Sequence, residues 1–498
     1  MRYYSTRGQS GYVTAKNAIL KGLAPDSGLF VPADPVNAFA SNKLPKGNYR
    51  EIATAICSPF LSDYSREELE HAINSAYNRG IFENPAVTPL VKLSDQLCFL
   101  ELWHGPTCAF KDIALQILPH LLNAAAATNA QASEIVILTA TSGDTGKSAL
   151  EGFRDVPGVK IVVYFPEKGV SEIQKMQMTT QEGDNVGVFA VQGNFDDTQK
   201  GVKQIFSDQN FSGKLQKSGY RLSSANSINW GRLLPQITYY FSAYRQLIDQ
   251  DVIAFGDKVN FVVPTGNFGN IMAGYYAKRL GLPVNRFICA ANRNNVLTDF
   301  INTGVYDRRR PFFRTFSPSM DILVSSNLER LLFELTGHDA EKISFWMKQL
   351  TDEGVYKIDR ETLKNLQEIF WADYADDDQT LNTIAAAYRE YNYLIDPHTA
   401  VGKFVLDRYL EKEQDSYTPV ILSTANPYKF AGSTIQALFN KDVLSESSEF
   451  ALIRLLNQET GISVPASLAK LENKPEKHSQ VLKPEEMPGH LEKFLDLA

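Results

Sequence analysis

His104-Gly105-Pro106-Thr107-Cys108-Ala109-Phe110-Lys111-Asp112 stands between a strand-like run and a helical pattern. Upstream, Leu97-Cys98-Phe99-Leu100-Glu101-Leu102 is apolar and has the length of a buried strand. The Gly-Pro pair keeps a helix from starting before Pro106. Downstream, Ile113, Leu115, Gln116, Ile117 and Leu118 open a helical pattern. Lys111 is therefore a lone amine at the mouth of a strand-loop-helix unit, beside the ring of Phe110. An amine in an apolar pocket loses solvation of its charged form, its pKa falls, and it can act as a nucleophile. Taken alone, the stretch favours a plainer reading, a surface lysine beside a helix-start Asp112. The sequence farther along reverses that preference.

From about residue 95 the chain alternates strand, turn and helix. Ile135–Thr139 is a buried strand ending in Ala140-Thr141-Ser142-Gly143-Asp144-Thr145-Gly146-Lys147-Ser148, with a helix to follow. Ile161–Phe165 and Val186–Val191 are further strands, and Ser171 caps a helix through Met178. A long helix is expected from about Asn229 to Asp249. Val259–Val263 leads into Pro264-Thr265-Gly266-Asn267-Phe268-Gly269-Asn270 and a helix through Arg279; Phe287–Ala290 and Pro419–Leu422 complete the strands. Continuous apolar strands alternating with helices predict parallel sheets covered on both faces, with ligands at the carboxyl ends of the strands.

Residues 1–92 form a separate N-terminal unit, in which Ser65 and Glu68 make a capping box. Residues 93–440 hold the alternating pattern, with a smaller subdomain over about 135–235. The charged stretch 330–393 reads as a helical elaboration, and 441–498 as peripheral helices.

Composition narrows the function. The 498 residues suggest about three domains at roughly 150 residues each. A hydrophobic content of 44% and a charged content of 21% suit a globular chain with a large core. The net charge of -7 and the lack of a dense basic block disfavour nucleic acid. The cysteines Cys57, Cys98, Cys108 and Cys289 form no C-x-x-C pair and have no histidine at metal spacing, so they read as reduced cytoplasmic thiols with no metal. No apolar signal core opens the chain and no run is long enough to span a bilayer, so a membrane is not expected as a partner.

Each polar loop has a plain alternative. Gly266–Asn270 can converge backbone N–H groups on a phosphate at a helix N-terminus, or simply turn a strand into a helix. Ser142–Ser148 ends in Gly-Lys-Ser as a nucleotide-binding P-loop does, yet Thr141 stands where that loop needs a glycine. Its hydroxyls and amides suit a carboxylate or a phosphate equally well. Thr424, after the last strand, offers a hydroxyl that capping also explains. Ser224-Ala225-Asn226-Ser227-Ile228-Asn229-Trp230-Gly231-Arg232 gathers more amides, hydroxyls and charge than capping requires. One ligand uses all of these features, a phosphorylated aldehyde cofactor: Lys111 takes the aldehyde, Gly266–Asn270 the 5'-phosphate, and Thr424 the ring nitrogen.

Here the chain resembles the threonine synthases, pyridoxal-phosphate enzymes of the tryptophan-synthase-β-like fold type II. The resemblance covers most of the sequence. It rests on Tyr4-Ser5-Thr6-Arg7-Gly8, Leu23-Ala24-Pro25-Asp26-Ser27-Gly28-Leu29, the Lys111 motif, Ser142–Gly146 and Ser224–Asn229. It implies two parallel-sheet subdomains with the cofactor between them, plus an N-terminal domain. It implies conversion of O-phospho-L-homoserine and water to L-threonine and phosphate, by a monomer or homodimer. Lys111 is then catalytic. Gly266, Asn267, Phe268, Gly269, Asn270, Thr424 and Asp144 serve the cofactor, and Ser142, Thr145, Lys147, Asn226, Ser227, Asn229 and Arg232 the substrate. Ser27 and Cys108 depart from the family's usual residues, and Asp144 stands where the wider fold often carries Asn. A dehydratase of the same fold, and a nucleotide-binding module around Lys147-Ser148, remain the alternatives.

Overall fold

The structure, a computed structural model, describes residues 1–34, 39, 44–94, 97–127, 133–141, 143–439 and 448–497. The strands of its two main sheets, in chain order, are β1 (Leu90–Ser94), β2 (Leu97–Glu101), β3 (Glu134–Ala140), β4 (Val159–Pro166), β5 (Val186–Val191), β6 (Tyr220–Ser223), β7 (Val259–Pro264), β8 (Val284–Ala291), β9 (Phe370–Tyr374), β10 (Thr418–Ser423) and β11 (Val481–Leu482). They build a larger sheet in the order β9-β8-β7-β10-β2-β1 and a smaller one in the order β11-β5-β4-β3-β6. Every neighbouring pair is parallel except β1 and β2. The central strands are buried on both faces, as their unbroken apolar runs require.

Four helices position the site: α1 (Lys111–Ala126), α2 (Asp144–Phe153), α3 (Glu172–Thr179) and α4 (Gly269–Arg279). Helix α1 follows the Gly-Pro turn, and Lys111 is its first residue. It packs against α2 at backbone distance, because a Cβ on Gly152 would overlap the Leu115 carbonyl. The N-terminal unit grips the other side of α1. Tyr77 donates its hydroxyl to the Ile113 carbonyl at 2.9 Å, and Tyr64 to that of Leu121 at 3.0 Å. The Ser65–Glu68 capping box forms as its spacing predicts. Ser27 adopts a φ of 64°, a left-handed conformation that favours glycine.

Several expectations are corrected. Helix α2 begins at Asp144, so Asp144–Ser148 lie inside it and not in a loop before it. The helix expected from Asn229 to Asp249 is broken: Trp230–Leu233, a 3-10 turn Leu234–Gln236, then Ile237–Asp249. Pro235 lacks the N–H and crowds the preceding turn. The stretch 330–393 is more than an elaboration, because β9 within it pairs with β8 in the larger sheet. The residues beyond 441 are not merely peripheral helices either. Within them β11 pairs with β5, and Leu482, Met487, Leu491 and Leu495 are buried in the core of the smaller sheet.

Candidate active site

The carboxyl ends of β2, β3, β7 and β10 open on one cleft between the two sheets, of about 340 Å³. Phe110, Lys111, Asp144, Thr145, Asn226, Ser227, Arg232, Gly266, Asn267, Phe268, Gly269, Asn270 and Thr424 line it. Ser142 lies outside the described residues.

Two expected substrate residues are not on the cleft wall. Asn229 is buried and structural: its Oδ1 accepts from the Gly231 N–H at 2.9 Å and its Nδ2 donates to the Ile19 carbonyl at 2.9 Å. Lys147 is fully buried behind Asp144, 3.3 Å from its carboxylate, and donates to Gln177. A residue three positions into a helix follows the helix face, and this face points into the protein.

The Gly266–Asn270 turn has the build of an anion cradle. Among the described residues, the backbone N–H groups of Gly266, Asn267, Phe268 and Gly269 donate to no protein acceptor. They sit at the N-terminus of α4, where the helix dipole favours negative charge. The positive φ of this turn falls on Phe268, at 60°, and not on either glycine. Asn270 accepts at Oδ1 from Tyr239 at 2.6 Å and from Tyr240 at 2.9 Å. Its Nδ2 is buried with no partner among the described residues. Asn327 secures the turn from behind, its side chain donating to the carbonyl of Asn267 at 2.9 Å and of Ser227 at 3.2 Å.

Asp144 is the electrostatic centre of the cleft. Lys429 donates to its Oδ1 at 2.7 Å and Ser319 to its Oδ2 at 2.9 Å; Lys111 lies 4.0 Å away. Burial alone would raise the pKa of this carboxyl, but Lys429, Lys147 and Lys111 hold it well below the usual range. Burial lowers the Lys111 amine to about 8, with Asp144 opposing the shift. Burial likewise brings the Arg232 guanidinium down to about 10. Arg232 donates to the Ala225 carbonyl at 2.7 Å, while its Nε is buried with no partner among the described residues. A cleft with more buried cations than carboxylates is suited to an anionic ligand.

Sequence reasoning missed Lys429, Ser319, Asp321 and His398, all at or against the cleft. Lys429 follows Thr424 in a 3-10 turn whose Asn426-Pro427 reads only as a cap. His398 stands in Asp396-Pro397-His398-Thr399, which announces a helix start and nothing more. Its Nδ1 bonds Asp396 at 2.7 Å, so its Nε2 accepts from the Ser319 N–H at 3.2 Å. The loop carrying Ser319 and Asp321 has no motif at all.

Three family models match the chain: threonine synthase N terminus over residues 2–77, pyridoxal-phosphate dependent enzyme over 81–356, and threonine synthase C-terminal over 399–488. Threonine synthase-like 1 of Macaca fascicularis is 42% identical over 444 residues, covering 86% of this chain and 59% of that protein. This chain thus spans about three fifths of that relative's length. Threonine synthase of Schizosaccharomyces pombe is 39% identical over 89% of this chain and 91% of its own. The crystal structure of PLP-bound threonine synthase from Brucella melitensis is similar with a TM-score of 0.88 and 36% identity, over 99% of both chains.

Proposed function

The chain belongs to the threonine synthase family of pyridoxal-phosphate enzymes, and from that premise we propose that it converts O-phospho-L-homoserine and water into L-threonine and phosphate, closing threonine biosynthesis. One observation carries the reading: a single cleft joins a partly buried amine, an amide cradle and a buried guanidinium whose Nε has no partner among the described residues.

The residues fit pyridoxal phosphate. Lys111 would take its aldehyde, the Gly266–Gly269 amides and Asn270 Nδ2 its phosphate, and Thr424 its ring nitrogen. When bound, that cofactor supplies an electron sink for charge developing at the substrate's α carbon. Lys111, once free as an amine, moves protons at the α and β carbons; its lowered pKa lets it both take and give a proton near neutral pH. Thr424 offers a hydroxyl where a carboxylate would hold a ring proton more firmly. Asp144, already committed to Lys429 and Ser319, serves as counter-ion to the amines instead of a direct ring contact. Thr145, Asn226 and Ser227 offer hydroxyl and amide donors to the substrate carboxylate, and Arg232 faces the leaving phosphate.

Among the described residues no helix is long and apolar enough to cross a membrane. The four cysteines are free and buried, which suits a reducing cytoplasm. The test is direct. Purified protein with pyridoxal phosphate and O-phospho-L-homoserine should release threonine and phosphate in equal amounts. Formation of 2-oxobutanoate from threonine, with no turnover of the phosphorylated substrate, would instead make it a dehydratase. ATP binding without a visible absorbance band would move the site to Lys147-Ser148.

A further inference from the structure

The turn after β10 does three things at once. It carries Thr424, and it hydrogen-bonds the backbone beside Lys111: the Phe110 N–H donates to the Thr424 carbonyl at 2.9 Å, and the Asn426 N–H to the Cys108 carbonyl at 3.1 Å. From its far end Lys429 bonds Asp144, the first residue of α2 in the facing subdomain, from beneath the cleft wall. The Lys429 side chain is 1% exposed and is not on the cleft wall. It therefore cannot act by touching substrate.

Resting on the function proposed above, we infer that Lys429 is a positioning residue of the reaction: it clamps Asp144, and with it the Gly143–Thr145 start of α2, at a fixed distance from Lys111. Ser319, in the 3-10 turn Pro318–Met320, completes the clamp by donating to the other oxygen of Asp144 at 2.9 Å. Gln174 on α3 adds a contact to Oδ1 at 3.3 Å. The single carboxylate is thus held from both subdomains. A buried ammonium whose chief partner is one carboxylate cannot relax into water when that partner is lost, so the two residues must behave as a unit.

The test uses Lys429→Met, Lys429→Arg, Asp144→Asn and the double variant Asp144→Asn/Lys429→Met. Lys429→Met should keep the visible cofactor band yet lose about ten- to a hundredfold in kcat/KM for O-phospho-L-homoserine, mostly as a raised KM. Lys429→Arg should recover much of that loss. The double variant should be no worse than the poorer single variant, both in kcat/KM and in the unfolding temperature of the cofactor-free chain. Additive losses, or a Lys429→Met enzyme with unchanged KM, would overturn the proposal. Should the unaltered chain fail to turn over O-phospho-L-homoserine, the functional reading falls by itself. The unfolding cycle on the cofactor-free chain then still decides whether Lys429 and Asp144 act as a unit.

Discussion

The Phe110 N–H donates to the carbonyl of Thr424 at 2.9 Å, joining the residue before Lys111 to the end of β10. An isolated bridge between Ala109 and Ala425 continues the contact. The backbone segments that carry the amine and the hydroxyl, at opposite ends of the proposed cofactor, are therefore fixed to each other. Such a frame pre-organises the site before a ligand enters.

Lys111 should be the residue that holds the cofactor. Borohydride reduction of the loaded protein should leave the label on the peptide containing Lys111, and the unreduced protein should absorb near ~410–430 nm. Only the neutral amine attacks an aldehyde, and burial brings the Lys111 pKa to about 8. The rate of pyridoxal-phosphate uptake by the cofactor-free chain should therefore rise about tenfold per pH unit below that value and level off above it. A label on Lys147, or a rate still climbing at the pH of an ordinary lysine, would remove Lys111 from this role.

The two glycines of the cradle should respond differently to a methyl group. A Cβ on Gly266 would come 2.8 Å from the Ser319 carbonyl, so Gly266→Ala should lower both the stability of the cofactor-free chain and cofactor affinity. At Gly269 the nearest atom would be Asn327 Nδ2 at 3.5 Å, an ordinary contact. Gly269→Ala should leave cofactor-free unfolding unchanged while weakening cofactor binding by about tenfold, the scale of one compromised phosphate contact. Equilibrium titration and thermal scans of both variants separate the outcomes. Full affinity in Gly269→Ala would place the phosphate elsewhere.

The end of the chain should prove essential to the smaller subdomain. The β5 edge is covered through the Ala190 N–H to the Gln480 carbonyl at 3.0 Å and the Gln192 N–H to the Leu482 carbonyl at 2.8 Å. Leu482, Met487, Leu491 and Leu495 are buried behind it. Each such side chain contributes about 1.5–3 kcal/mol, so their joint loss rivals the stability of a domain. A chain ending at residue 479 should unfold at a markedly lower temperature and be cleaved rapidly within residues 186–223 by a trace of protease. Unfolding identical to the full chain would show that this segment only rests on the surface.

What was legible in the sequence was local. Gly266–Asn270 and Thr424 each follow a strand end, Lys111 opens the helix after the loop from β2, and apolar runs mark those strands plainly. Their convergence in one cleft follows from parallel topology. What was not legible depended on partners distant in sequence. Lys147 reads as a ligand because it stands within a polar loop, but the helix begins at Asp144 and turns Lys147 inward. Asn229 looked like one because its neighbours are polar, but it caps Gly231. Strand β9 was hidden among charged helices, and β11 is a two-residue pairing that no periodicity can announce. Lys429 and Ser319 gain their meaning only from Asp144, 285 and 175 residues away.

Arg232 and Lys147 finally separate recognition of the substrate phosphate from the integrity of the site. Arg232 lines the cleft with a buried Nε that meets no acceptor among the described residues, whereas Lys147 lies behind Asp144 and off the wall. A charge-assisted contact typically supplies about 1.5–3 kcal/mol, roughly ten- to a hundredfold in rate. Arg232→Met should therefore keep the visible cofactor band and lose such a factor in kcat/KM for O-phospho-L-homoserine. Slow deamination of unphosphorylated serine or threonine should change much less, since those substrates present no phosphate. Lys147→Met should show no such selectivity, because Lys147 acts only on Asp144 and its neighbours, which serve both substrate types alike. A selective loss in Lys147→Met with none in Arg232→Met would reverse the assignment. It would require the start of α2 to turn Lys147 toward the cleft when substrate enters.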